Sequence, residues 1–241
     1  MTHTTLTSAH YSLLSLSVMA TNANTTAGEC ITAFSDNGTV ESSRYFHARR
    51  TVLEMLRDRG YDVPDSELTR SLAEFRSLYG QIPDAETLRI SVSLRSDPSK
   101  MVLVVFMGPV DIIKKQTLKS IHDQIPDKGK LNGLLVIVQS KMTSYAKKEL
   151  MESYPSKVEI FEITDLLVNM AKHLLQPKYE VLTADEKQAL LMKHNLEEKQ
   201  LPLMLKTEAI ARYYGWEKGQ VVKITHTGGL IHSLVTYRCV V

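Results

Sequence analysis

Two uninterrupted apolar runs constrain this chain more than any other feature. Residues 101–107 read Met-Val-Leu-Val-Val-Phe-Met, and residues 133–138 read Gly-Leu-Leu-Val-Ile-Val. Short runs rich in branched residues, with no polar position between them, suit central strands covered on both faces. Before them, polar and apolar residues alternate over 87–94, placing Leu88, Ile90, Val92 and Leu94 on one face of a half-buried strand. Asp97-Pro98 predicts a turn between these strands.

Helical spacing surrounds the runs. Tyr45, Ala48, Val52 and Leu56 recur every three to four residues, and Gly60 stops that helix. A second helix is expected after Pro64, with Asp65 or Ser66 as its cap, Leu68, Leu72, Phe75 and Tyr79 as its stripe and Gly80 as its end. Further helices are expected over 111–125, 143–151 and 165–175, and a short strand over 158–161. Helices alternating with apolar strands predict a mixed α/β fold with a mixed sheet flanked by helices over 44–176.

Pro177 marks a domain boundary, and 177–241 read as a small α+β domain. Thr183 and Glu186 form a capping box that opens a helix closed by Asn195. A linker over 196–204 leads to a short helix ending at Gly215. Strands over 220–225 and 234–240 flank Gly228-Gly229, which predicts an antiparallel hairpin. Two strands alone are marginal, so the hairpin is expected to need a partner surface to cover it.

Residues 1–43 read as a disordered Ser/Thr-rich tail, too polar to fold alone. The stretch 11–20 is apolar but broken by serines and lacks a preceding Lys or Arg, which argues against a secretory signal. Met19 offers an alternative start. No run of about 18 apolar residues is present to span a membrane. Cys30 and Cys239 are the two cysteines, too few for a disulfide framework or a zinc site, and they suit a reducing compartment.

The sequence offers no catalytic constellation. It lacks a G-x-S-x-G elbow, a Walker loop and a G-x-G-x-x-G turn. His226 and His232 flank the hairpin turn without a third ligand. Pro83-Asp84 beside a mixed sheet fits a turn better than a nuclease centre, which needs a second acid and a lysine on a neighbouring strand. The only E-x-K triplet, Glu197-Glu198-Lys199, lies outside that domain. No cofactor or metal is expected.

With a net charge of only +2, any nucleic-acid contact must come from a local patch. The basic pairs Arg49 and Arg50, Lys114 and Lys115, and Lys147 and Lys148 read first as solvated helix faces. The last pair follows Thr143, Ser144 and Tyr145 at the start of a helix, where free backbone N–H groups and partial positive charge suit a phosphate.

The C-terminal motifs are specific. Leu201-Pro202, then Ala211-Arg212-Tyr213-Tyr214-Gly215, then Lys218-Gly219-Gln220-Val221-Val222-Lys223-Ile224, then Thr236-Tyr237-Arg238 resemble the fifth subunit of eukaryotic nuclear DNA-directed RNA polymerases. The archaeal counterpart of that subunit consists of this module alone. Ala48-Arg49-Arg50-Thr51 and Asp58-Arg59-Gly60-Tyr61 resemble the start of the eukaryotic subunit's jaw domain.

The resemblance implies a non-catalytic, nuclear chain: a jaw near downstream duplex DNA, bound without sequence preference, and an assembly module on the largest subunit beside small shared subunits such as subunit six. It implies DNA proximity for Thr143, Ser144, Tyr145, Lys147 and Lys148. It implies a subunit interface through Arg212, Tyr213, Tyr214, Gly215, Lys218, Gln220, Val222, Tyr237 and Arg238.

The family's jaw loop usually reads Met-Thr-Pro-Ser-Ala-Lys. Ser144 and Tyr145 replace its Pro and Ser, which predicts a looser loop. Leu203 stands where Arg is common, and Ala209 where Pro is common. These departures, the long tail and the segment 161–169 are most similar to the plant RNA polymerase V form, which acts in RNA-directed DNA methylation and gene silencing. A subunit shared by polymerases I, II and III, and a free-standing DNA-binding or nuclease-like α/β protein, are the alternatives.

Overall fold

The two apolar runs pair side by side as parallel strands. The computed structural model describes residues 38–110, 112–114, 118, 125, 131–154, 157–228 and 231–241. Strands β1 (Ile90–Leu94), β2 (Asp97–Phe106), β3 (Leu131–Val138) and β4 (Lys157–Glu162) form a sheet in the order β1-β2-β3-β4. β1 is antiparallel to β2, whereas β2, β3 and β4 run parallel. Because side chains alternate across a strand, β2 sends Val102, Val104 and Phe106 to one face and Leu103, Val105 and Met107 to the other.

Helix α1 (Val40–Asp58) covers the first face with Ala48, Val52, Met55 and Leu56, all fully buried. Its start lies inside the stretch expected to be tail. Thr39 caps it by accepting from Ser42 N at 3.2 Å, and the Ser42 hydroxyl donates back to Thr39 O at 2.8 Å. The second expected helix is two helices, α2 (Asp65–Thr69) and α3 (Leu72–Tyr79). Ser71 competes with helix continuation by capping α3 in a reciprocal box with Glu74. Arg49, read as half of a solvated pair, is buried and donates to Leu88 O at 2.6 Å and to Glu67 at 2.9 Å.

The opposite face is covered by α4 (Ser144–Ser153) through Ala146 and Leu150, with Ile113, Leu118 and Tyr154. Each such buried aliphatic side chain contributes about 1.5–3 kcal/mol. Most of the helix expected over 111–125 lies outside the described residues, as do Lys115, Cys30 and 1–37; Ile113 forms an isolated bridge to Met142.

Two other expectations are corrected. Asp97 and Pro98 belong to β2, and the turn is at Arg95 and Ser96. Residues 165–175 form no α-helix but carry two 3-10 turns, Ile163–Leu166 and Met170–Lys172.

After Pro177 a second mixed sheet appears, with β5 (Lys178–Val181), β6 (Leu203–Met204), β7 (Val221–Gly228) and β8 (Ile231–Val240) in the order β5-β7-β8-β6. The hairpin β7–β8 is antiparallel as its glycines imply, but it is the centre of four strands rather than a two-stranded face. Its inner half is covered by the chain itself. Val222, Ile224 and Val240 pack with Met204, Ala211 and Trp216, while Val221 and Cys239 pack with Leu201 and with Leu190 and Leu191 of α5 (Ala184–His194). The need for an external cover therefore does not extend to these residues. No helix among the described residues is long and apolar enough to cross a membrane.

Candidate nucleic-acid and assembly surfaces

Helix α4 opens directly after β3 because Thr143 caps it, accepting from Ala146 N at 3.3 Å. The cap is held from below: Thr143 N donates to Ile113 O at 3.2 Å, and Ile113 N donates to Lys141 O at 3.1 Å. The helix begins regularly at Ser144 without a proline. Its first turn carries no acidic residue. The first N–H groups of any helix lack intrahelical partners, so this end is positive and its donors point outward.

Ser144, Tyr145, Lys147 and Lys148 are exposed there, Tyr145 at 85%. Successive helical positions diverge by about 100°. Lys148 accordingly lies 3.7 Å from Glu152 on the outer face, whereas Lys147 lines a cavity of about 630 Å³ between α4, β4 and α6 (Ala209–Tyr214).

The second cluster lies where α6 meets the first sheet. α6 is short, and Gly215 ends it in the left-handed region at φ 69°. A side chain at Gly215 would meet the Arg59 guanidinium at 3.1 Å. That guanidinium, on the C-cap of α1, donates to Tyr213 O at 2.8 Å and Arg212 O at 2.6 Å, carbonyls of the last turn of α6. It also grips Glu159 on β4 with two bonds of 3.1 and 2.8 Å.

Arg212 reaches the other way. It donates to Ile160 O at 2.6 Å, lies 4.5 Å over the Phe161 ring and faces Asp165 at 3.6 Å. The Tyr213 hydroxyl donates to Asp58 at 2.8 Å and accepts from Asn169 at 3.0 Å. Burial, reinforced by the Asp58 carboxylate, pushes the Tyr213 phenol well above its ordinary value.

Asn169 also donates to Glu54 at 2.7 Å, and Lys172 lies 3.1 Å from the same carboxylate. Burial alone would raise the Glu54 pKa, but these contacts outweigh it and hold the group below its ordinary value of 4.5.

The residues expected at a subunit interface fall into different settings within the chain. Tyr213 and Val222 are interior side chains, buried in the chain's own cores. Tyr214 stacks on Trp216 with centroids 5.0 Å apart, and burial raises its pKa. Gln220 accepts from Glu217 N at 2.8 Å, and Tyr237 packs beside Leu201 and Cys239. Lys218 and Arg238 are exposed.

Sequence reasoning missed the exposed apolar set: Leu203 at 56%, Leu205 at 55%, Leu234 at 46% and Val235 at 39%. Leu203 and Leu205 lie at the β6 edge, and Leu234 and Val235 lie on the outer arm of the hairpin. There His226, Thr227 and Ser233 are exposed as well. Two adjacent exposed positions on a strand, Leu234 and Val235, mean that both faces of the arm are bare, a signal visible only once burial is known.

Pro83-Asp84 leads into a turn over 85–88, the Asp84 carboxylate accepting from Glu86 N at 3.1 Å. No three His, Cys, Asp or Glu side chains among the described residues are placed to hold a metal, and the His232 side chain lies outside the description. Cys239 is a free, buried thiol whose pKa is raised by burial and by Glu198.

Comparison with known proteins agrees with the two-sheet architecture. Residues 39–125 match the family described as RNA polymerase Rpb5, N-terminal domain, and residues 168–240 match RNA polymerase Rpb5, C-terminal domain. The chain is 49% identical over 212 residues to DNA-directed RNA polymerase V subunit 5C of Arabidopsis thaliana, covering 88% of this chain and 90% of that one. It is 49% identical over 201 residues to the subunit 5B of RNA polymerases IV and V from the same plant, covering 83% and 91%. Against subunit RPABC1 of RNA polymerases I, II and III of Caenorhabditis elegans it is 35% identical over 208 residues, covering 84% and 98%.

Proposed function

The chain belongs to the family of RNA polymerase Rpb5 subunits, and from that premise we propose that it is a non-catalytic, nuclear subunit of a plant-type RNA polymerase V. Identities of 49% to polymerase V forms against 35% to a shared form support that choice of enzyme. In this reading residues 44–176 are the jaw and residues 177–241 the assembly domain. The outcome is transcription that directs DNA methylation and silencing.

The observation that carries the assembly role is the bare hairpin arm. A two-stranded ribbon exposing Leu234 and Val235 gains stability by burial against a larger surface. The largest subunit, with subunit six nearby, supplies that surface, and Leu203, Leu205, Lys218 and Arg238 extend the contact. Downstream duplex DNA meets the start of α4 through Tyr145, Lys147 and Lys148, without base readout.

Co-purification tests this. A Leu234→Asp, Val235→Asp variant should keep its circular dichroism spectrum but recover less than about a tenth of the largest subunit of polymerase V. Full recovery would remove the arm from the interface. Recovery of polymerase II instead, by the native chain, would reassign the enzyme.

A further inference from the structure

The two motifs that mark this family, Asp58-Arg59-Gly60-Tyr61 near the start and Ala211-Arg212-Tyr213-Tyr214-Gly215 near the end, are about 150 residues apart, yet they touch. We propose that they are the two halves of one intramolecular joint, and that Arg59 is the positioning residue that fixes the DNA-facing α4 relative to the assembly sheet. This does not depend on which polymerase takes up the chain.

The joint is reciprocal. From the α1 side, Arg59 closes four bonds at once, two to α6 carbonyls and two to Glu159. From the α6 side, Arg212 takes the Ile160 carbonyl of β4, the edge strand of the first sheet. Asp58 receives the Tyr213 hydroxyl, and Lys157 on β4 reaches Gly215 O at 3.0 Å and Glu217 at 3.2 Å. Except for the Arg59–Glu159 pair, which lies within the first sheet's domain and holds the guanidinium in place, each bond joins an element of one sheet's domain to an element of the other.

A guanidinium presents its donors in a fixed planar fork, so four simultaneous acceptors define both distance and orientation. Carbonyls at a helix end lack their full set of intrahelical donors, and Arg212 O has only Gly215 N at 3.2 Å, which makes them natural acceptors for a cation. Gly215 is part of the design, because its φ of +69° strains any other residue and a Cβ there, 3.1 Å from the guanidinium carbon, would press the fork out of place by a few tenths of an ångström.

The alternative connection is the segment 167–177, which could not hold orientation by itself. Apart from one three-residue 3-10 turn it has no regular structure, and Val168, Leu174 and Leu175 are 74%, 95% and 83% exposed. Its packed residues belong to the joint itself, Asn169 bonding Glu54 and the Tyr213 hydroxyl, Lys172 facing Glu54 and Ala171 lying on the first core, and the rest is a tether whose angle is set elsewhere.

The test uses the full chain with Cys30 and Cys239 replaced by Ser, and spin labels on cysteines placed at Lys148 and Lys218. The native pair should give one narrow distance distribution. Arg59→Ala and Arg59→Lys should each broaden it at least about two-fold, because lysine keeps the charge but not the fork. Far-UV circular dichroism should be unchanged. Tyr213→Phe, which removes one hydroxyl, should broaden it less.

A distribution that stays narrow in both Arg59 variants would overturn the proposal, as would full rescue by lysine. If Arg59→Ala fails to fold, the decision passes to Arg59→Lys and to hydrogen exchange. There, the acceleration of α6 amides should exceed that of β2 and β3 amides by about ten-fold. Equal acceleration of α6 and of β2 and β3 would show a general stability role and sink the joint.

Discussion

The arginines at the joint and the lysines on α4 carry the same formal charge to opposite ends. Arg59 is 8% exposed and spends four donors on fixed acceptors. Lys147 and Lys148 stand in solvent, Lys148 beside one exposed carboxylate 3.7 Å away. A buried cation can persist only where it is paired and hydrogen-bonded, so its loss strands its partners. A surface cation is already solvated, so its loss leaves the fold alone and changes only the field outside. Basic residues in this chain therefore divide into those that build the molecule and those available to a polyanion.

The largest effect tests the first half of that division. Arg59→Ala leaves Glu159, 17% exposed, without its fork and Tyr213 O without the guanidinium, while Arg212 O keeps only Gly215 N at 3.2 Å. A loss of about 3 kcal/mol in urea unfolding is expected. A loss under about 1 kcal/mol would place Arg59 with the surface lysines and break the comparison.

Arg49→Ala should cost less, about 2 kcal/mol, because Glu67 keeps Arg70 at 2.6 Å while the Leu88 carbonyl loses its donor. The order Arg59 above Arg49 is the sharper claim, and denaturation midpoints of the two variants read it directly.

Acid should act through the same buried partners. Burial favours the neutral forms of Glu54 and Glu67, but Asn169 and Lys172 in the first case, and Arg70 and Arg49 in the second, hold both pKa values below 4.5. A carboxylate whose folded pKa is depressed contributes stability that is present above the unfolded value and lost as pH falls through the folded one. The urea midpoint should therefore be flat above about pH 5 and fall below 4.5, and Asn169→Ala should make that fall shallower. A native midpoint independent of pH between 5 and 3 would remove the two carboxylates from the account.

How much of this was legible in the sequence follows from what each signal measures. The apolar runs of β2 and β3 and the stripe of α1 stand for burial of many side chains together, so local pattern and fold agree. The segment 165–175 carries apolar residues too, but Leu174 and Leu175 are exposed, and hydropathy cannot distinguish an unburied leucine from a core one. Pro98 read as a turn because its ring breaks ladders. It sits instead at the end of β2 that extends beyond β3, where a missing donor is tolerated.

β6 has two residues, too few for any period, and exists because Leu203 and Met204 pair with Cys239 and Val240. The motifs around Arg59 and Arg212 were visible as motifs. Their meeting was not, since nothing in either one records a contact across 150 residues.

The smallest expected effect on the fold belongs to the lysines, and it is the one that bears on function. Lys147→Ala, Lys148→Ala should shift the urea midpoint by no more than about 0.5 kcal/mol, as surface changes do. In the assembled polymerase, however, the double variant should lower by about two the slope of log affinity for downstream duplex against log salt, the change that the loss of two phosphate contacts would bring. Because Lys148 already faces Glu152 while Lys147 does not, single variants should divide that change unequally, with Lys147→Ala taking the larger share. Equal shares would mean that Glu152 is too far out in solvent to compete with a phosphate. An unchanged slope in the double variant would mean that the start of α4 meets no duplex at all, and that its open first turn serves only to receive β3 into the helix.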